Sequence, residues 1–211
     1  MSQLASPVID VAESQEVDEI FSVFCSTSSS PKAMQDAVHL LTRHVVSAAM
    51  KFDTTLDHTT LIPVLRGGLP MFTKGSDCVI VDWSGRRPFP QAPGDGRLIV
   101  LDTVIATGDT VAKLCDELWE LSGRRERSVV VMCCYVAPSA LVRLSRHLVV
   151  QYIVVARRAE GCDVAGYLVP TANGDIGDKL FGEKEECTTD AVSPGCYGPL
   201  GRPALLERNA G

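Results

Sequence analysis

Apolar residues near the start of the chain recur at helical spacing. In SQEVDEIFSVF (14–24), Val17, Ile20, Phe21 and Phe24 fall on one side, which predicts a short amphipathic helix. The loop CSTSSSP follows; in it Ser30 stands where an N-cap belongs, and Pro31 where the first helical residue belongs. A long helix over 31–51 is therefore expected, with Met34, Val38, Leu41, Val45 and Ala49 inward. From residue 60 the period changes to short apolar runs: TLIPVL (60–65), CVIVD (78–82), RLIVLD (97–102), SVVVMCCY (128–135), VVQYIVVA (149–156) and GYLVP (166–170). Between them lie the helical segments TVAKLCDELWEL (110–121) and PSALVRLSRH (138–147), the second opened by Pro138. Runs that are apolar on both sides, alternating with amphipathic helices, are what a parallel sheet covered on both faces requires. The expected fold class is α/β, a mostly parallel sheet flanked by helices on both faces.

Length and composition narrow this picture. A chain of 211 residues with 45% hydrophobic and 22% charged positions has the balance of one globular domain with a substantial core. That domain is expected over 1–182, with N-terminal helices in 14–51 and a core in 60–182. Residues 183–211 carry charge, Gly and Pro without periodicity and are expected to form a tail. The formal net charge is -6 and the basic residues are scattered, so nucleic acid is not an expected partner. No apolar run reaches the ~20 residues that a membrane span needs, and the acidic N-terminus does not read as a secretion signal. The expectation is a soluble protein of the cytoplasm. Of eight cysteines, Cys78, Cys115, Cys133, Cys134 and Cys162 stand in or beside apolar segments, which predicts reduced core thiols. No C-x-x-C pair occurs, and His39 and His44 do not share a helix face, so no structural zinc is expected.

The candidate chemistry lies in LIVLDTVIATGDT (98–110). Ligands of open α/β sheets bind beyond the carboxyl ends of the strands, which is where this pattern puts Asp102 and the residues after it. Ala106, Thr107 and Gly108 are small enough for backbone N–H groups to turn inward. Thr107 and Thr110 add hydroxyl donors, and the following helix points its positive end at the same spot. A phosphate is the natural occupant. Neither the nucleotide P-loop nor the three-glycine dinucleotide fingerprint is present. A carboxylate beside the phosphate suits sugar hydroxyls or a growing positive charge, and a ribose 5-phosphate meets both requirements. An ordinary strand, turn and helix, with Asp102 capping and Gly108 turning, would leave the same short signature.

More of the chain bears on that choice. The run ending in Asp102 with A-T-G-x-T resembles the ribose-phosphate motif of the type I phosphoribosyltransferases, and within them most nearly that of uracil phosphoribosyltransferase. LIPVLRGGLPM (61–71), GYLVP (166–170) and GDIGDKLFG (174–182) resemble three further motifs of that family, in the same order and at matching spacing. The resemblance implies the type I phosphoribosyltransferase fold. It also implies an enzyme that joins a pyrimidine-like base to C1 of 5-phosphoribosyl 1-pyrophosphate with Mg²⁺, the metal arriving with the substrate rather than in a protein site. It assigns Arg66 and Gly67 to the pyrophosphate, and Asp102, Thr103, Ala106, Thr107, Gly108, Asp109 and Thr110 to the ribose 5-phosphate. It implies Asp102 and Arg66 as the catalytic residues. Leu168, Gly174, Asp175 and Ile176 are assigned to the base. A homodimer is implied as well.

Departures from the family pattern stand out, among them Leu69-Pro70 after Gly68 where the family has Leu-Gly. The stretch TKGSDCVIVDWSGRRPFPQAPGDG is shorter than the family's and lacks its R-x-E-x-T-type lid motif; Thr103 replaces Pro or an acidic residue; Asp109 puts a carboxylate near a phosphate; and PTANGDIGD has one residue more than its counterpart. Two other functions therefore stay open. One is a catalytically weak homologue that binds ribose phosphate or nucleotide as a regulator or partner subunit. The other is a phosphoribosyltransferase with a different acceptor.

Overall fold

The computed structural model describes residues 5–56, 59–72, 97–121, 123–124, 128–169 and 176–182. The predicted strand 78–82 and the tail 183–211 lie outside the described residues. The main elements are β1 (Val8–Asp10), α1 (Gln15–Cys25), α2 (Pro31–Phe52), β2 (Thr59–Pro63), β3 (Arg97–Ile105), α3 (Asp109–Leu121), β4 (Val129–Val136), α4 (Pro138–Ser145) and β5 (Val150–Arg158). A small hairpin, β6 (Gly161–Cys162) with β7 (Leu168–Val169), and the short α5 (Ile176–Phe181) complete them.

Both N-terminal helices begin where their capping residues direct. The Ser14 side chain accepts from the Val17 N–H and that of Ser30 from the Ala33 N–H, each satisfying an amide that has no intrahelical acceptor. Val17, Ile20, Phe21 and Phe24 are buried on α1, and Met34, Val38, Leu41, Val45 and Ala49 on α2, as the spacing requires.

The main sheet has the order β1-β5-β4-β3-β2, every neighbouring pair parallel. All eight residues of β4 are buried, which explains why VVVMCCYV shows no alternation. From β3 to β5 the chain steps one way along the sheet, while the β1-to-β2 connection crosses the other way. Right-handed crossovers then place α3 and α4 on one face and α2 on the other. β1 is an addition that the apolar pattern does not announce, since three residues are too few to establish a period. It is fixed instead by pairing Val8, Ile9 and Asp10 with Ile153, Val154 and Val155, and by Ser6, whose hydroxyl donates to the Val150 carbonyl at 2.6 Å.

Two expectations change. GYLVP does not join the main sheet: Leu168 and Val169 pair antiparallel with Cys162 and Gly161. Cys162 is consequently exposed rather than a core thiol, because its two-residue strand stands outside the sheet. Cys115, Cys133 and Cys134 are buried as expected. Burial pushes the thiols of Cys115 and Cys134 up to about 12, so both remain protonated and unreactive. Among the described residues no helix is long and apolar enough to cross a membrane.

Candidate active site

The site begins with an unequal pair of strands. β2 stops at Pro63 opposite Leu101, and the Val64 N–H donates to the Leu101 carbonyl at 2.9 Å. β3 runs on to Ile105 because β4 continues to supply partners as far as Val136. Asp102 is therefore not the last residue of its strand, as the apolar run suggested. It is the first residue beyond the step where β2 ends.

The turn after β2 folds into that step. Its peptide bond between Leu65 and Arg66 is cis, and the Gly68 N–H donates to the Val64 carbonyl at 2.6 Å. A β-carbon at Gly68 would lie 2.1 Å from the Leu101 carbonyl oxygen, so only glycine allows the turn to lie this close to β3. One at Gly67 would meet an Asp102 carboxylate oxygen at 3.0 Å and the Ile176 side chain at 3.2 Å. The glycines thus bring the turn against the carboxylate.

Beyond β3, the turn 106–108 leads into α3. Gly108 has φ +77, a left-handed conformation that disfavours other residues, and its Cα faces Ala140 of α4. The Ala112 N–H donates to the Gly108 carbonyl at 2.9 Å, so the first amides of α3 precede any intrahelical acceptor. The Asp109 N–H donates to the Thr107 hydroxyl at 3.3 Å, and the amides after it, together with the helix dipole, make this helix end suited to an anion. The Thr107 hydroxyl donates to the Asp109 carboxylate at 2.8 Å, and Arg143 of α4 pairs with the same carboxylate. These contacts hold the Asp109 carboxyl below the usual carboxylate range, the Thr107 hydrogen bond contributing most.

A cavity of about 340 Å³ joins these pieces. Asp102, Ala106, Thr107, Gly108, Asp109, Thr110, Leu168 and Ile176 all line it. Eight of the residues expected from the sequence therefore share one space. Phe24, Tyr167 and Lys179 also line it and were not anticipated. Phe24 carried only a core signal, and Lys179 only its place in GDIGDKLFG. Desolvation lowers the Lys179 ammonium from its ordinary value, so this cation sits partly withdrawn from water beside the cavity. Among the described residues no group of three His, Cys, Asp or Glu is arranged to hold a metal ion.

The remaining assignments fall differently. Thr103 is fully buried and does not line the cavity. Adjacent strand residues point to opposite faces, so Thr103 turns away from the side that Asp102 takes, and its hydroxyl donates to the Gly67 carbonyl. It holds the glycine turn instead of touching a sugar. Arg66 also lies outside the cavity: its guanidinium pairs with Asp178 of α5 and reaches the Gly182 carbonyl at 3.4 Å. Gly67 abuts Asp102 from behind. Gly174 and Asp175 lie outside the described residues.

The architecture is that of an open parallel α/β sheet with a carboxylate at its carboxyl edge and a small-residue turn leading into a helix beside it, an arrangement able to accommodate a sugar phosphate. More particularly, residues 87–183 match the family model of uracil phosphoribosyltransferase, so the resemblance seen in the motifs extends across β3 to α5. Arg66 and Gly67 precede that match. The chain is 38% identical over 96 residues to uracil phosphoribosyltransferase of Clostridium tetani, covering 45% of this chain and 44% of the relative. To the enzyme of the same name from Mycoplasmoides gallisepticum it is 33% identical over 96 residues, 46% of this chain and 45% of the relative. The chain spans about half the length of the curated relatives it matches. The fold is shared more widely: the solved structure of the AQ2163 protein from Aquifex aeolicus superposes with a TM-score of 0.68 at 20% identity, covering 83% of this chain and 98% of that one.

Proposed function

We propose that the chain is a phosphoribosyltransferase that transfers the 5-phosphoribosyl group of 5-phosphoribosyl 1-pyrophosphate to uracil or a related heterocyclic base, releasing pyrophosphate. One observation carries this reading: a single cavity is lined by Asp102, the turn 106–110, Leu168 and Ile176. The similarity to uracil phosphoribosyltransferases over residues 87–183 supports the acceptor class.

In the reaction the bond from C1 to the pyrophosphate oxygen breaks and a bond from C1 to a base nitrogen forms, while the proton of that nitrogen is lost. The sugar gains positive charge as the leaving group gains negative charge. The first turn of α3 anchors the 5-phosphate through its amides and the Thr107 and Thr110 hydroxyls. That anchoring fixes C1 relative to Asp102, whose carboxylate accepts from the ribose hydroxyls and stabilises the cationic sugar. Arg66 is assigned to the pyrophosphate, a guanidinium being suited to two parallel contacts with it. It takes that role by exchanging Asp178 for the leaving group. Leu168 and Ile176 offer main-chain groups to the imide edge of the base, with Gly174 and Asp175 in the same segment.

Mg²⁺ is part of this proposal. Of the two carboxylates among the described lining residues, that of Asp109 is paired with Arg143, and that of Asp102 suits an ion that usually arrives on substrate phosphates and keeps several waters. When bound, the ion would neutralise charge on the pyrophosphate, with Asp102 as its protein-side partner. Homodimerisation, a cytoplasmic location and a place in pyrimidine salvage complete the reading.

An acceptor screen tests it. The chain, Mg²⁺ and the pyrophosphorylated sugar are incubated with uracil, other pyrimidines and purines; pyrophosphate is assayed and the products weighed by mass spectrometry. Uridine monophosphate is the expected product. Absence of pyrophosphate release with every base would overturn the enzyme reading, and a different phosphoribosylated product would overturn the acceptor. Sedimentation of the same preparation checks the dimer.

A further inference from the structure

The phosphate turn contains its own anion. Asp109 is the first residue of α3, where the family-like motif A-T-G-x-T leaves a free choice, and its carboxylate accepts from the Thr107 hydroxyl at 2.8 Å. A carboxylate in that position has two effects. It repels an incoming phosphate, and it occupies a hydroxyl donor that the phosphate would use. Asp109 does favour the helix dipole, so it stabilises α3 while opposing the ligand that the same dipole attracts.

The structure also holds the compensation. α4 lies against the turn, with Ala140 facing Gly108, and Arg143 stands three residues further along the same helix face. Its guanidinium pairs with Asp109. Arg143 does not line the cavity, so it reaches the site only through Asp109.

We propose that Arg143 is a positioning residue for the 5-phosphate: it pairs with one oxygen of the Asp109 carboxylate while the Thr107 hydroxyl holds the other, and so offsets the negative charge that would repel the incoming phosphate. This rests on the reading of the turn as a ribose 5-phosphate site. It means that positions 109 and 143 act as a pair. An uncharged residue at 109 makes Arg143 dispensable, whereas an aspartate there requires a cation on α4.

The test is a double-mutant cycle on the full chain. Dissociation constants for ribose 5-phosphate and 5-phosphoribosyl 1-pyrophosphate are measured by calorimetry without acceptor, and KM and kcat in the turnover assay. Arg143→Ala is expected to weaken both ligands roughly tenfold at low salt with kcat changed by less than about twofold, and the loss should shrink as salt rises. Arg143→Lys should keep most of the affinity. Asp109→Asn should bind at least as tightly as the wild type, and Asp109→Asn with Arg143→Ala should return to within roughly threefold of it. Unchanged binding in Arg143→Ala, or no recovery in the double variant, overturns the proposal. If Arg143→Ala does not fold, Asp109→Asn decides alone, since weaker binding in that variant contradicts an opposing carboxylate. Failure of the wild type to bind either sugar phosphate removes the site itself and, with it, the role of Arg143.

Discussion

The hydroxyl of Thr103, on β3, donates to the carbonyl of Gly67, in the turn after β2, and this bond crosses the step in the sheet where Asp102 stands. Thr103 is fully buried, so removing its hydroxyl leaves a carbonyl without that donor. Thr103→Val, which keeps the shape, should destabilise the fold by about 1–3 kcal/mol. Because the turn also carries Arg66, kcat/KM for the pyrophosphorylated sugar should fall roughly tenfold or more as that side chain shifts. Thr103→Ser should keep the activity and lose only about 1 kcal/mol for the missing methyl group. Chemical denaturation and steady-state kinetics on the two variants separate the outcomes; equal activity in Val and Ser variants would remove the hydroxyl from the account.

The two glycines of the turn should respond differently to the same added methyl group. In Gly68→Ala the new carbon would sit 2.1 Å from a backbone oxygen of β3, a contact relieved only by moving the turn or the strand. A loss of about 3 kcal/mol or more is expected. In Gly67→Ala the nearest atom, at 3.0 Å, is a side-chain oxygen of Asp102, which can rotate. The fold should then persist with about 1 kcal/mol lost, while turnover drops because the carboxylate has been displaced. Thermal unfolding and kcat measure the two effects independently.

Asp102 should be needed for the reaction rather than for the fold. It is 8% exposed and lines the cavity, so Asp102→Asn keeps the volume and removes the charge. The expected result is a fall in kcat of about 10²–10³, with the melting temperature nearly unchanged. Thr107→Val should instead raise KM for the sugar with a smaller change in kcat, since the proposed function gives Thr107 the phosphate and not C1. Wild-type kinetics in both variants would show that the turn is not a sugar-phosphate site.

These residues also indicate how far the amino-acid sequence alone carries. The helices were legible because their caps and spacing are local, as Ser14, Ser30 and Pro31 illustrate. The turn 106–110 could be placed beside Asp102 because its residues are consecutive and follow the strand directly. What was not legible depends on neighbours distant in the chain. β1 exists only by pairing with β5, and β3 outlasts its apolar run because β4 supports it. Thr103 was placed with the sugar because it follows Asp102, yet strand alternation sends the two side chains apart. Arg143 was invisible for the same reason: 34 residues separate it from Asp109, and only the packing of α4 on the turn brings them together.

The last prediction concerns pH and a cluster near the amino-terminal ends of β3 and β5. Asp53, just past the end of α2, accepts from the Thr55 hydroxyl at 2.7 Å and the Thr55 N–H at 2.9 Å, and it pairs with Arg97 at the start of β3. The Tyr152 hydroxyl donates to it at 3.3 Å. The Thr55 hydrogen bonds, then Arg97, hold its carboxyl below the usual carboxylate range. A carboxylate whose folded pKa is depressed contributes stability above its unfolded pKa of about 3.9, and that contribution is lost as pH falls through the lower folded value. Asp53→Asn should therefore lower stability by about 1 kcal/mol at pH 7. The gap between wild type and variant should hold down to about pH 5 and close progressively as the solution is acidified below about pH 4. Scanning calorimetry of both proteins from neutral to acidic pH measures that gap. A constant difference across the range would mean that Asp53 supports the fold by its shape and not by its charge.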